Sequence, residues 1–199
     1  MDSPEELRTL RSAGELRALT HPLRIRIMVY LTSHDGAATS ASLARALGES
    51  TGATSYHLRQ LARHGFVEEV PGFGTARERG WRAAVRGVGY RPDSSADEET
   101  RSAQLALFAS MVEHDNDLIS TFLRNRERYE PQWRDAGRFV NGVLHLRPEE
   151  VQEVSERIQD ILAEYRRQDP ADRPEGADRV YTVIRFIPAQ DDKSGGLAQ

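Results

Sequence analysis

Residues 44–65 read Ala-Arg-Ala-Leu-Gly-Glu-Ser-Thr-Gly-Ala-Thr-Ser-Tyr-His-Leu-Arg-Gln-Leu-Ala-Arg-His-Gly. The spacing predicts a helix, a tight turn and a second helix. Ala44 supplies a small residue where two helices must approach, Gly48 tolerates a positive φ at the turn, and Ser50 is placed to cap the second helix. On a helical wheel Leu58, Leu61 and Ala62 gather on one side with Thr54 near them, while Tyr56, Arg59 and Arg63 point the other way with Gln60 close by. One face packs and the other is free, the arrangement of a helix-turn-helix whose second helix touches DNA.

Upstream, Ser3-Pro4-Glu5-Glu6 and Ser12-Ala13-Gly14-Glu15 both have capping-box spacing, predicting one helix or two short ones through Leu7, Leu10, Leu16 and Leu19. His21-Pro22 ends that element and opens the next, in which Leu23, Ile27 and Leu31 recur every four residues and mark a core helix. Thr39 is placed to cap the short helix that Gly48 ends. Downstream, 66–70 reads as a strand, Pro71-Gly72-Phe73-Gly74 as a turn and 77–85 as the returning strand, which together form a wing. Arg77 and Arg79 share one face of that ribbon on strict alternation and are suited to a phosphate backbone, whereas the ring of Trp81 is expected to pack at the domain's edge.

These residues resemble the ArsR-type family of winged-helix repressors. Its recognition helix is matched by Ser50, Ser55, His57, Leu58 and Arg59 with no gap from Gly48, its "Leu-x-x-Pro-x-Arg" start by Leu19 to Arg24, and its "Gly-Leu-Val" exit by Gly65-Phe66-Val67. The likeness spans about 16–84. Glu49 departs from it, standing where an apolar residue usually packs, and so does Gly52, which costs up to roughly 1 kcal/mol relative to Ala in a first turn. The resemblance implies a dimeric DNA-binding repressor whose helices flanking the winged domain join two subunits.

Composition sets bounds on this reading. The chain has 199 residues, a formal charge of -4, no cysteine and a single lysine, Lys193. Disulfides and thiolate metal sites are therefore excluded. No apolar segment directs export or spans a membrane, so the cytoplasm is the expected location and no membrane partner is expected. Residues 1–95 hold 13 Arg against 10 Asp and Glu, and 96–199 hold 14 basic against 21 acidic side chains. A basic front half suits phosphates, and an acidic rear half suits a sensing or dimerising part held off DNA.

Residues 87–97 read as a linker and 98–127 as a long helix. In it Leu105, Phe108, Val112, Ile119 and Phe122 form a heptad-like seam interrupted by Asp115, expected to pair with the same helix of a second subunit. An ordinary core helix within the chain is the alternative. Beyond Pro131 the pattern predicts a strand over 138–146, a helix over 148–168 with Val151, Val154, Ile158, Ile161 and Tyr165 on one side, and a strand over 180–187. Residues 191–199 are polar and Gly-rich and are expected to be disordered. The expected fold is thus mainly α with β (α+β): a winged helix-turn-helix domain in 1–92, then a dimerisation and sensing region in 93–190. The second region combines the long helix with a small strand-helix-strand unit.

The candidate DNA-binding residues are Thr51, Ser55, Tyr56, Arg59, Arg63, Arg77 and Arg79. Arg59 is the best placed to read a base, because Arg can make two hydrogen bonds to guanine while Ser and Thr more often hold phosphates. His57 sits at the edge of the packed face, where a structural hydrogen bond is the expected role. Neither metal nor other cofactor is expected: Glu113, His114, Asp115 and Asp117 are followed by no His until His145, and a solvated helix face accounts for His114 and Asp117 better than two zinc ligands do. No Gly-rich phosphate loop, nucleophile elbow or cysteine points to catalysis, so no enzyme is expected. Two further readings stand beside the regulator. One is a winged helix that binds protein instead of DNA; the other adds a small-molecule effector pocket among Tyr129, Trp133, Phe139, Tyr165 and Tyr181.

Overall fold

The structure, a computed structural model, describes residues 8–34, 36–73, 78–85, 87–89, 93, 95–165 and 170–188. It divides into two compact units, Met1–Glu130 and Pro131–Gln199. The first follows the order β1 (Arg8–Thr9), α1 (Ala13–Thr20), α2 (Pro22–Ser33), β2 (Ala38–Thr39), α3 (Ser40–Leu47), α4 (Thr51–Arg63), β3 (Val67–Val70), β4 (Gly80–Ala83), β5 (Val88–Gly89) and α5 (Glu98–Asn125). A 3₁₀ turn over Arg126–Arg128 closes the unit. This is a winged helix-turn-helix with an added long helix.

Local chemistry explains where each helix starts. Ser12 and Glu15 form the capping box of α1, Pro22 occupies the first turn of α2 behind His21, and Thr39 with Ser42 forms a second capping box at α3. The wing is antiparallel, with Val67 opposite Ala83 and Val70 opposite Gly80, and β2 lies on the other side of β4 with Ala38 opposite Trp81. Trp81, Phe66, Leu16, Ile27, Leu43, Leu58 and Leu61 are buried together, so Trp81 packs as expected. Full burial of one such side chain contributes about 1.5–3 kcal/mol.

One expectation is corrected in this unit. Arg8–Thr9 is a short strand paired in parallel with β5, not helix, because the backbone N–H groups of Arg8 and Leu10 donate to Gly87 and Gly89 across about 80 residues of chain. The first predicted capping box, at Ser3, lies outside the described residues. In α5, the buried stripe is Ala103, Gln104, Leu107 and Asp115, with Met111 partly buried against the core. It packs on α1 and α2, where Ser110 Oγ donates to the Thr20 carbonyl at 2.7 Å and Arg17 pairs with Glu99. The predicted seam lies one step round the helix: Leu105, Phe108 and Ile119 are exposed, and Val112 and Phe122 are half-buried.

The second unit contains α6 (Pro131–Ala136), α7 (Pro148–Glu164) and a 3₁₀ turn over Pro170–Asp172. The predicted helix forms, opened by Pro148 and by the Arg147 N–H donating to the Glu150 carboxylate at 2.8 Å. The predicted strands over 138–146 and 180–187 do not: a strand exists only where its backbone groups meet a ladder partner, and among the described residues of this unit no ladder is made. None of those residues is buried. The expected tail over 191–199 and residue 77 lie outside the described residues.

Two glycines of α4 carry opposite expectations. Gly65 sits at φ +70 just past the helix, where the Phe66 N–H closes on the Leu61 carbonyl at 3.0 Å and the Gly65 N–H on the Ala62 carbonyl at 3.0 Å. Gly52 lies within the first turn, and a Cβ there meets nothing within 4 Å. Gly65→Ala should therefore lose about 1–2 kcal/mol, the strain of an L-residue in left-handed backbone, and Gly52→Ala should gain up to roughly 1 kcal/mol. Urea unfolding midpoints of the two variants should move to opposite sides of the parent's.

Candidate nucleic-acid interface

The interface is built on the junction of α3 and α4. Gly48 adopts φ +68, its N–H and that of Glu49 both reach the Ala44 carbonyl, and Ser50 then accepts from the Ala53 N–H at 3.1 Å to start α4. Thr54 is fully buried, its hydroxyl donating to the Ser50 carbonyl at 3.0 Å. The hydroxyls of Ser40 and Ser55, 3.3 Å apart, join the two helices directly. Arg26 of α2 closes the turn from outside, pairing with Glu49 at 2.9 Å and donating to the Leu47 carbonyl. Glu49 thus replaces an apolar contact with an ion pair.

With Thr54, His57, Leu58 and Leu61 buried, α4 turns Thr51, Tyr56, Arg59 and Arg63 to solvent. Ser55 is half-buried and already engaged with Ser40. Arg59 donates from Nε to the Ser55 carbonyl at 3.2 Å, which uses one of its five N–H donors and steadies the guanidinium along the helix. In the wing, Arg79 pairs with Glu69, and Arg82 Nε donates to Glu68 at 2.6 Å. Arg79 is not in the strand, which begins at Gly80, so the alternation that grouped it with Trp81 does not reach it. Exposed pairs of this kind are worth about 0–1 kcal/mol, so a phosphate can replace Glu69 as the partner of Arg79. Arg77 lies outside the described residues.

Several positions at this interface were not singled out by sequence. His21 caps α2 through Nδ1, which accepts from the Leu23 N–H at 3.1 Å, and its ring packs at a tilt against that of His57 with centroids 4.2 Å apart. Tyr56 meets the same His57 ring edge-on at 5.1 Å. His57 is therefore held by rings, and its Nδ1 is buried with no hydrogen-bond partner, which corrects the expected structural hydrogen bond at that atom. Arg24 lies alongside and donates to the Arg17 carbonyl at 2.9 Å. At the far end of α4, Arg8 donates to the His64 carbonyl at 2.8 Å, pairs with Glu15 and covers the Phe66 ring at 4.8 Å. The contacts of Arg8 had no signal in the sequence, and those of His21 and Arg24 had only the His21-Pro22 boundary and the Pro22 and Arg24 spacing.

Of the proposed effector-pocket aromatics, Tyr129 belongs to the first unit, its ring 5.4 Å from Phe122. Trp133, Phe139, Tyr165 and Tyr181 belong to the second. Among the described residues no group of three His, Asp or Glu side chains is placed to hold a metal, and no helix is long and apolar enough to cross a membrane.

Residues 19–70 match a family model described as a helix-turn-helix domain. No curated protein matches the chain. Among solved structures, a mutant of ZitR from Lactococcus lactis in apo form is 14% identical, with 74% of this chain and 84% of that one covered at a TM-score of 0.32. MepR, a transcription regulator of the Staphylococcus aureus multidrug efflux pump MepA, is 14% identical over 77% of this chain and 90% of its own at 0.30. MarR of E. coli is 15% identical over 75% and 89% at 0.30. Such low superposition transfers neither ligand nor assembly. The matched domain and the β3–β4 hairpin together form a winged helix-turn-helix fold.

The His57 ring has a consequence for stability. Burial chiefly, then the neighbouring His21 and Arg24, hold its pKa below the ordinary 6.5, with Glu49 opposing. The unfolded chain therefore takes up this proton first as pH falls. The stability that neutral His57 contributes is complete above about 6.5 and is lost as pH drops from there toward its folded-state value. Unfolding free energy measured across that range should decline with falling pH, and His57→Phe should flatten the decline.

Proposed function

We propose that the chain is a homodimeric, sequence-specific repressor of the ArsR type that lays α4 in the major groove of double-stranded DNA and rests its wing on the phosphates. The observation that carries this reading is the exposed stripe of Thr51, Tyr56, Arg59 and Arg63 on a helix whose opposite face is buried and whose start is locked by Gly48, Ser50 and the Arg26–Glu49 pair. Arg59 reads a base, and Arg79, with Arg77, holds phosphates. The ArsR assignment is supported by the ungapped run from Gly48 to Arg59 and by the Pro22 and Arg24 spacing. The cytoplasm follows as its location.

A second copy is supported by α5. Leu105, Phe108 and Ile119 stay exposed beside half-buried Val112 and Phe122, while the other side of the helix is occupied by α1 and α2. A pair of reading helices then meets half-sites about one DNA turn apart. Light scattering should return a dimer, and Phe108→Asp with Ile119→Asp should weaken that dimer at least tenfold. A monomeric parent would remove the dimer from the reading.

Gel-shift titration against the DNA preceding its own gene, over a salt series, separates a DNA reader from a winged helix that binds protein. Phosphate neutralisation makes affinity fall steeply with salt. Arg59→Ala should lose about 1–3 kcal/mol on the cognate duplex and far less on a scrambled one. Arg79→Ala should weaken both duplexes alike and reduce the slope of log affinity against log salt by about one. Equal losses on both duplexes for Arg59→Ala, with discrimination erased by Arg79→Ala, would reverse the assignment of helix and wing.

A further inference from the structure

Tyr56 is the aromatic side chain on the outer face of α4, 52% exposed, and what fixes it is another ring. It meets His57 edge-on, with centroids 5.1 Å apart and planes at 78°. The χ2 torsions of such rings are broad and soft, so the resting plane of each is decided by its neighbours. His57 is itself buried, its Nδ1 without a hydrogen-bond partner, and packs at 39° against His21 with centroids 4.2 Å apart. Three rings thus run from the start of α2 to the outer face of α4.

The row is anchored at His21. Its backbone is extended at φ -78 and ψ 128, the conformation that Pro22 favours in the residue before it. Its Nδ1 accepts from the Leu23 N–H at 3.1 Å, so the ring cannot turn without uncapping α2. His57 has no such tie at Nδ1. Orientation therefore passes from His21 to His57 and from His57 to Tyr56. A half-exposed ring that is set before DNA arrives avoids part of the ordering cost of binding.

We propose that His21 is a positioning residue for DNA recognition: through His57 it presets the ring of Tyr56, and Tyr56 adds to the discrimination between duplexes. This rests on the reading of α4 as the helix that enters the groove. The ring of His21 carries this role and its capping nitrogen carries another, so the two can be separated.

Two substitutions at this one position separate them. His21→Asn keeps a capping acceptor without the ring, and His21→Phe keeps a ring without the capping acceptor. His21→Asn should weaken the cognate duplex about three- to tenfold relative to a scrambled one, with its urea midpoint near the parent's. His21→Phe should hold discrimination to within about twofold of the parent while its midpoint falls. In a Tyr56→Ala background, His21→Asn should cost less than about a further twofold. In full-length protein carrying carbon-13 tyrosine, the Tyr56 ring signals, identified by their absence from Tyr56→Phe, should move further in His21→Asn than in His21→Phe. Equal loss of discrimination in the two His21 variants would overturn the inference, as would a His21→Asn loss that adds in full to that of Tyr56→Ala. Unmoved Tyr56 signals in His21→Asn, with a parent that discriminates, would overturn it alone. A parent that binds both duplexes alike would overturn the reading of α4 and this inference with it.

Discussion

The reading helix depends on one backbone event, the left-handed turn at Gly48. Only there does α3 stop soon enough for Ser50 to start α4 across it, and two side-chain contacts then hold the angle: the Ser40 and Ser55 hydroxyls on each other, and Arg26 on Glu49 and the Leu47 carbonyl. The first is a neutral hydrogen bond, worth about 0.5–1.5 kcal/mol. The Arg26 contact is charge-assisted and ties the turn to α2, the helix at the centre of the core. These contacts hold α4 in orientation as well as in register.

The charges at the interface are arranged with the same economy. Burial of His57 keeps a second cation from forming beside Arg24, so the positive charge of α4 is confined to Arg59 and Arg63 on the outer face. Among the described residues of the wing, Arg79 and Arg82 are paired with Glu69 and Glu68. Paired in this way, Arg79 and Arg82 carry less free charge than the exposed Arg59 and Arg63 of α4.

The helix-turn-helix and the wing were legible because their signals are local. A capping box needs two residues three apart, a left-handed turn needs a glycine, and a hairpin needs a turn between two strands; each lies within one glance along the chain. The ion pair of Glu49 with Arg26 and the pairing of Arg8–Thr9 with Val88–Gly89 were not legible, since each joins residues 23 or about 80 apart whose meeting depends on the finished fold. The contact of His21 with His57 is hidden for the same reason. Periodicity places His57 on one helix, and its actual surroundings are supplied by the cap of another.

The long helix is ambiguous for a different reason. Ala103, Leu107 and Met111 make one apolar stripe on α5 while Leu105, Phe108 and Val112 make another beside it, so the sequence holds two seams, and periodicity alone cannot say which one the domain takes. Where α5 meets α1 stand Ala103 and Ser110, whose hydroxyl donates to the Thr20 carbonyl. The stripe of Ala103, Leu107 and Met111 goes to the core, and that of Leu105 and Phe108 is left facing outward. The outcome is a 28-residue helix with Leu105 and Phe108 exposed on the side away from α1.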